Sequence, residues 1–494
     1  MIGFAAASVL AFLLVRTATL NLFYSVGDLQ DPGWLATIAW RNGWLLLGPP
    51  ALGGSYFSEH ISPIFWLTSL ISYALPSPKI DFFAAFMGVI YALYAAGIFR
   101  AWLLADDRVT AARSVVALVV ALLATFSAVG MQTLRLAHHE MAIPALALWF
   151  FIALVERNYR LAIVWFVLCL MVREDAGFHL FGLLVLWGLS LKIGRQRDDR
   201  AQKLWWFAGV AFAYAVIALV IKHSAFPEAN NFSRVYSGIP RWQHLTAPFL
   251  SERFWFYLTE RTFITVPLLV TLAWAVVSRN PLLPLGYVAF LPWLALHFVA
   301  AFGTTGMLGY YYAFPFWLSL AWPLVALHLW PAASERQKTR WPYVLVLLSS
   351  LVGWKFDRVV VYPFDNNHFV EHPFIYTSEA QNREAADRFV NYFAANKSRF
   401  GSFASDMAVS GLMMDDVTRA NWIVNQKASE PPDVILYFVD SYEWGRVVSL
   451  LQSGAYSWFY QVPGTRIRLA ARSPLPSRLP LPLPIAAAAA PSLK

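Results

Sequence analysis

Apolar stretches close to the length that crosses a bilayer recur along the whole chain, and they constrain its fold more than any single motif. They lie near residues 3–24, 80–104, 112–130, 141–156, 161–173, 176–192, 204–222, 262–278, 282–301, 311–330 and 341–356. A bilayer core demands roughly 20 apolar residues in helical form, because no backbone polar group can stay unpaired in lipid. Charge agrees with this reading. Charged residues make up 14% of the 494 positions and hydrophobic ones 58%, whereas soluble domains carry about 25% charged residues. The pattern predicts an α-helical polytopic membrane protein with about eleven transmembrane helices.

The formal charge is +9. No basic stripe with interleaved aromatics accompanies it, so nucleic acid is not an expected partner. The cations fit cytoplasmic loops instead. "KIGRQRDDRAQK" (192–203) and "SERQKTR" (334–340) are the densest basic connections, and both fall on one side under this helix count. The positive-inside rule makes that side the cytoplasm. The N-terminus is then cytoplasmic, and residues 25–79, 131–140, 173–175, 223–261 and the C-terminal part lie outside. The first segment is read as a retained anchor, since it lacks a charged leader and a small-residue cleavage site. The single cysteine, Cys169, excludes an intrachain disulfide.

"ISPIFWLTSLISYALP" (61–76) is apolar but short, and counting it as a span would invert every later loop. It is read as a helix lying in the outer interface. The transmembrane domain therefore covers 1–356, with a first outer loop at 25–79. Beyond it the character changes. "TSEAQNREAADRFVNYFAANKSRF" (377–400) repeats Ala385, Phe389, Tyr392 and Phe393 at helical spacing. "DVILYFVD" (433–440) reads as a buried strand, "SYEWGRVVSLLQSG" (441–454) as a helix, and "TRIRLAAR" (465–472) as a second strand. Residues 357–472 are thus expected to form a small extracytoplasmic α/β domain. The Pro- and Ala-rich tail 473–494 is expected to be disordered.

The outer segments gather most of the ionisable groups that sit at helix ends. Such groups are costly at membrane depth, so function is the default reading. In "VGDLQDPGWLATIAW" (26–40), Asp28 and Asp31 follow the first span. Asp31 precedes Pro32 and is a natural N-cap for a helix over 32–46. A capping carboxylate keeps a lone pair, so capping and a role as base or metal ligand are compatible. "SEHISP" places Glu59 and His60 before the interfacial helix. "LRLAHHEMAIP" carries His138, His139 and Glu140 in succession. Consecutive residues do not share a helix face, so the three cannot all ligate one ion. Asp31, Glu140 and His139 are the candidate ligands of a divalent ion: Mg or Mn if oxygens dominate, Zn if imidazole does. In "MVREDAGFH", Arg173 suits a lipid-linked phosphate, because guanidinium matches phosphate oxygens bidentately. Glu174 reads more simply as a local ion-pair partner. Arg234 and Arg241, among aromatics in loop 223–261, and Tyr311 in "MLGYYYAFP" suit either a substrate or an aromatic belt.

This layout resembles the integral-membrane glycosyltransferases of the C type (GT-C), which use lipid-phosphate-linked sugars. The resemblance rests on order: one span, an acidic residue (Asp31), a helix along the membrane, a proline-introduced second helix in "SEHISPIFWLTSLISYALPSP", then the span from Ile80. Glu140 matches the later acidic position, and "RLAIVWFVLCLMVREDAG" matches the short span ending in a cationic turn. "DPGWLATIAW", "HISPIFWL", "LAHHEMAIPALAL", "VREDAG" and "YYYAFPFWL" are also similar to a related family of bacterial predicted membrane proteins of unknown function. The chain departs from that family at Ala36, where a second acid is expected. The resemblance implies a glycosyltransferase in the bacterial cytoplasmic membrane. It moves a sugar from a polyprenyl-phosphate donor to an acceptor of unknown identity on the outer face. Asp31 and Glu140 are then the catalytic candidates, and His60, His139, Arg173, Arg234, Arg241 and Tyr311 the substrate-binding ones. A transporter or flippase of a polyprenyl-linked lipid or polysaccharide is the alternative. Transporters often show paired repeats, and the sequence has none.

Overall fold

The computed structural model describes residues 2–26, 31–50, 53–104, 109–194, 200–227, 232–329, 339–352, 373–439, 441, 443–475 and 483–484. Helices dominate. In chain order they are α1 (Ile2–Asn21), α2 (Asp31–Ala39), α3 (Ile64–Ala74), α4 (Lys79–Leu103), α5 (Ala111–Thr125), α6 (Ala128–Leu134), α7 (Ala142–Val155), α8 (Tyr159–Leu170), α9 (Ala176–Ile193) and α10 (Ala201–Ala225). There follow α11 (Ala247–Thr259), α12 (Thr262–Ser278), α13 (Leu285–Val288), α14 (Leu291–Phe298), α15 (Gly303–Gly306), α16 (Phe314–Ala326) and α17 (Trp341–Ser349). The C-terminal part adds α18 (Ser378–Gln381), α19 (Arg383–Asn396), α20 (Met407–Leu412) and α21 (Trp444–Leu451).

Four described helical segments are long and apolar enough to cross a membrane: Ile2–Ser25, α4, α9 and α10. The pairs α5–α6 and α11–α12, bent by 50° and 67°, raise the number to six if each is one span. The chain is therefore a multi-pass helical membrane protein. The other expected spans are shorter or broken. Helices α7 and α8 are apolar but have 14 and 12 residues. The stretch 282–301 divides into α13 and α14 because Pro292, in the first turn of α14, lacks an N–H and crowds the turn before it. Helix α3 has 11 residues, about 17 Å of rise, too short to cross. Helix α2 stops at Ala39 rather than running to residue 46. Asn42 Oδ1 accepts from Gly43 N and Leu47 N, and Arg41 takes a left-handed φ of 48°. The Asn42 side chain thus offers the backbone a turn in place of the next helical one.

The described contacts divide the chain into two compact units. The first comprises Met1–Leu13, Tyr56–Leu67 and Phe86–Asp365. Its core is aromatic. Trp317 stacks on Tyr94 at 3.7 Å, Tyr94 Oη donates to Trp317 O, and Trp317 Nε1 donates to Ala124 O. Small residues bring α9 and α10 together. A Cβ on Gly177 would lie 2.3 Å from Ala211 O, a close approach typical of membrane helices. The opposite face of α10 exposes Trp206, Phe212, Ile217, Val220 and Ile221, as a helix bordered by lipid requires.

The second unit comprises Leu14–Ser55, Thr68–Ala85 and Asn366–Lys494. Its sheet runs in the order β1-β2-β4-β3-β5: β1 (Phe403–Ser405), β2 (Val434–Phe438), β3 (Trp458–Gln461), β4 (Ile467–Ala471) and β5 (Leu483–Pro484). Strand β1 is parallel to β2, and every other pair is antiparallel. The two expected strands are β2 and β4, and the expected helices are α19 and α21. Helix α19 buries Ala385, Phe389 and Phe393. The tail beyond Leu475 lies outside the described residues except for β5. The basic connections used for orientation are also largely outside them.

Two acids are buried at the edge of this sheet. Asp406 Oδ1 accepts from Val409 N and Oδ2 from Phe438 N, both at 2.8 Å, and Glu443 Oε2 accepts from Met407 N at 2.7 Å. Burial pushes the Asp406 carboxyl up to about 6, and burial with the nearby Asp406 charge pushes Glu443 to about 7. The folded unit therefore holds protons that the unfolded chain has released. Its extra stability is fully present below about pH 4 and is lost as pH rises through about 7. Each group contributes on the order of 3 kcal/mol across that window. Thermal proteolysis of the full-length protein within residues 403–471 should begin at lower temperature at pH 8 than at pH 5. Glu443→Gln, which cannot ionise, should flatten this dependence; an unchanged slope would remove Glu443 as its source.

Candidate functional site

The polar groups of the first unit meet where three helix ends come together. The turn after α6 presents His138, His139 and Glu140. The turn after α8 presents Arg173, Glu174 and Asp175. The segment before α3 presents His60 and Ser62. Local signals fix each turn. Asn158 caps α8 by accepting from Leu161 N, and Arg157 takes a left-handed φ of 57°, so α7 and α8 form a tight hairpin. Ile64 N donates to Met171 O at 2.8 Å, joining the start of α3 to the end of α8.

Arg173 is the centre of the first cluster. Its Nε donates to Asp175 Oδ1 at 2.7 Å, its Nη2 to Asp175 Oδ2, and its Nη1 to Glu140 Oε1. Glu140 is 0% exposed. The guanidinium lies 5.8 Å from the centre of the Trp293 ring and 5.9 Å from that of Phe314. One turn along α9, His179 Nε2 stands 3.6 Å from Asp175 Oδ2. His138 Nδ1 stands 3.6 Å from Glu140 Oε1, and its ring stacks on Tyr311 at 3.9 Å.

Glu174 anchors the second cluster. Its Oε1 meets His60 Nδ1 at 3.0 Å and Lys222 Nζ at 3.5 Å, and its Oε2 accepts from Ile61 N at 2.9 Å. Lys222 also donates to Glu59 O. His139 Nε2 meets Ser62 Oγ at 3.2 Å, and its ring packs 4.6 Å from Phe65.

The electrostatics follow from burial and pairing. Burial opposes ionisation of Asp175, yet Arg173 and His179 hold it far below the usual carboxylate range. Burial acts the same way on Glu174, and pairing with His60 and Arg173 outweighs it, so its carboxyl is held below the usual range. Burial lowers His60, against the pull of Glu174, and lowers His138 more strongly.

Several atoms in this buried region have no hydrogen-bond partner among the described residues: His138 Nδ1, His139 Nδ1, Glu140 Oε2 and His179 Nε2. Most buried polar atoms in native proteins are paired. His138 Nδ1 and His179 Nε2 still lie 3.6 Å from carboxylate oxygens, so His139 Nδ1 and Glu140 Oε2 are the two that mark a place for a ligand or ordered water.

Of the candidate residues, His60, His139, Glu140, Arg173 and Tyr311 come together here. Asp31 opens α2 and belongs to the second unit. Arg241 is exposed and in no ion pair among the described residues. Asp28 and the Arg234 side chain lie outside the description. Among the described residues no group of three or more His, Cys, Asp or Glu side chains is placed to hold a metal ion. The expected ligands Asp31, His139 and Glu140 form no such group, and the charge of Glu140 is met by Arg173. Lys222, Trp293 and Phe314 were not singled out by the sequence reading. A lone Lys in the last turn of an otherwise apolar helix was the one available signal for the first.

No protein-family model matches the chain, and no curated protein matches it. Three solved structures are similar. They are the arabinofuranosyltransferase AftD from Mycobacteria and ArnT from Cupriavidus metallidurans in the apo state and bound to undecaprenyl phosphate. AftD has 14% identity and TM-score 0.45 over 96% of this chain. The chain spans only 40% of the AftD chain. The apo ArnT structure has 14% identity and TM-score 0.46, covering 96% of this chain and 98% of that one. The undecaprenyl phosphate complex has 13% identity and TM-score 0.40, covering 95% and 98%.

Proposed function

We propose that the chain is a membrane glycosyltransferase of the C type, transferring a sugar from a polyprenyl-phosphate donor to an acceptor on the outer face of the cytoplasmic membrane. The observation that carries this is the buried cluster around Glu140 and Arg173, with His139 Nδ1 and Glu140 Oε2 left without a hydrogen bond. It coincides with motifs that resemble that class. In this reading Asp31 is the general base on the acceptor hydroxyl. Arg173 spends three of its five N–H donors on Asp175 and Glu140, and the other two serve the donor phosphate. As transfer proceeds, the sugar–phosphate bond breaks, the acceptor oxygen bonds the sugar carbon and the acceptor proton passes to Asp31. The leaving phosphate keeps the electron pair, and Arg173 stabilises that charge. Glu140 fixes Arg173 in place.

The direct test is transfer of a labelled sugar from polyprenyl phosphate in membranes with and without the protein. Transfer only with the protein supports the reading. Lipid movement across the bilayer without transfer, over several donors, would instead establish the transporter alternative.

The orientation belongs to the same proposal: N-terminus in the cytoplasm, C-terminal unit outside. Cysteines introduced at Ser58 and Ser77 should react with an impermeant reagent added from outside. A reporter that is active only in the cytoplasm should be silent when fused after Lys355. Its activity there would invert the topology.

A further inference from the structure

The second unit contains a cavity of about 340 Å³ that the transfer reading does not use. That volume lies in the range of small-molecule sites. Two helix faces and the start of α4 build it. Helix α2 contributes Gly33, Ala36 and Thr37, spaced i, i+3 and i+4 on one face, and Trp40 follows just past its end. Helix α19 contributes Asp387, Val390 and Asn391, at the same spacing. A Cβ on Gly33 would lie 2.1 Å from Gly411 O, so α2 is pressed against α20 and that wall is rigid.

The lining separates into aromatic walls and a few polar groups. Trp40 is held by its indole N–H on Ser77 O at 3.1 Å, with Arg41 covering one ring face at 4.6 Å. Phe23 and Tyr24 meet edge to face at 5.1 Å. Tyr24 Oη donates to Asp387 Oδ1 at 3.1 Å, which sets the carboxylate. Thr37 Oγ1 donates to Gly33 O, leaving its lone pairs. The Asn391 amide makes no side-chain hydrogen bond among the described residues.

Charge selects the ligand. Asp387 is in no ion pair among the described residues, while the one lining cation, Lys79, is engaged by Asp415. An anion would face a carboxylate that Arg383 favours only from a distance, without pairing with it. A purely apolar chain would strip water from Asp387, Asn391 and Thr37 without replacing its hydrogen bonds. A sugar ring meets both demands: its C–H faces lie on Trp40 and Phe23, and its hydroxyls bond the carboxylate, amide and hydroxyl.

We infer that this cavity is a binding site for an uncharged saccharide. It does not depend on transferase activity, since binding is read without turnover. If the chain is a transferase, the saccharide is part of the acceptor, held along the helix that Asp31 opens.

The test uses full-length protein in a sugar-free amphipol and saturation-transfer NMR on a panel of methyl glycosides of common hexoses and pentoses. At least one glycoside should show transfer, undiminished by inorganic phosphate. Asp387→Ala combined with Asn391→Ala, both exposed positions on α19, should weaken its binding about tenfold or more, the equivalent of two or three lost hydrogen bonds. Thr37→Trp, which fills the cavity from α2, should abolish it. No transfer to any glycoside would overturn the proposal, as would equal binding by the variants or displacement by phosphate. Loss of sugar transfer in the enzymatic assay with glycoside binding intact would sink the transferase reading and leave this one standing.

Discussion

Asp31→Asn should abolish transfer and leave the fold intact. Asp31 opens α2, and Pro32 follows it. A carboxylate in that first turn faces the positive end of the helix dipole, which favours it by roughly 0.3–1 kcal/mol. Asn ranks with Asp at a helix N-terminus because its amide oxygen accepts the same backbone N–H. The stability cost should therefore stay within about 1 kcal/mol, the size of a whole cap. The chemistry has no such substitute. An amide cannot take the proton of the acceptor hydroxyl, and losing a general base costs about 10²- to 10⁴-fold in rate. Ala would damage the helix start and the chemistry together, so Asn is the informative change. The measurement is labelled-sugar transfer alongside the thermal midpoint of the purified protein. Equal transfer by wild type and variant would return Asp31 to a capping role.

How much of this was legible in the sequence depended on range. Strand β2 was readable because five apolar residues, Val434–Phe438, sit between Pro432 and Asp440 and are buried on both faces. Strands β1 and β3 were not. Phe403–Ser405 has three residues, too few for a period, and "WFYQ" shows no alternation of buried and exposed positions. The amphipathic face of α19 was readable because Ala385, Phe389 and Phe393 repeat at four-residue spacing. The end of α2 was not, because it depends on the Asn42 side chain competing with the helix. The same split holds at the site. The motifs "AHHE" and "VRED" were visible as unusual charge at helix ends. Their wiring was not. The sequence suits Arg173 to a phosphate and Glu174 to a local ion pair. In the structure Arg173 bridges Asp175, two residues on, and Glu140, 33 positions earlier. Glu174 reaches His60 and Lys222, 114 and 48 positions away. Pairings over such separations arise from helix packing, which small residues such as Gly177 permit and no local pattern encodes.

That wiring predicts the second large effect. Arg173→Met should destabilise the first unit by on the order of 3–5 kcal/mol, the usual result of removing one partner from a buried ion pair. Met matches the stem of Arg in length, so the loss is mainly electrostatic. Glu140 is 0% exposed and keeps one oxygen unpaired even with Arg173 present. Without the guanidinium it must be buried as a bare charge or take up a proton. Arg173→Lys should fall between wild type and Met. A lysine keeps the charge but is a point donor that cannot hold Asp175 bidentately and reach Glu140 together. The decisive comparison adds Glu140→Gln to Arg173→Met. Glu140→Gln alone should destabilise, yet with that one of the two orphaned charges removed the double variant should be more stable than Arg173→Met alone, a sign reversal that is non-additive and marks direct coupling. The readout is the thermal midpoint of purified protein, so it does not depend on substrate. Single-variant effects that simply add would show that Glu140 and Arg173 do not stabilise each other. The helix ends they join would then owe their position to the aromatic packing of Trp293, Phe314 and Tyr311 instead.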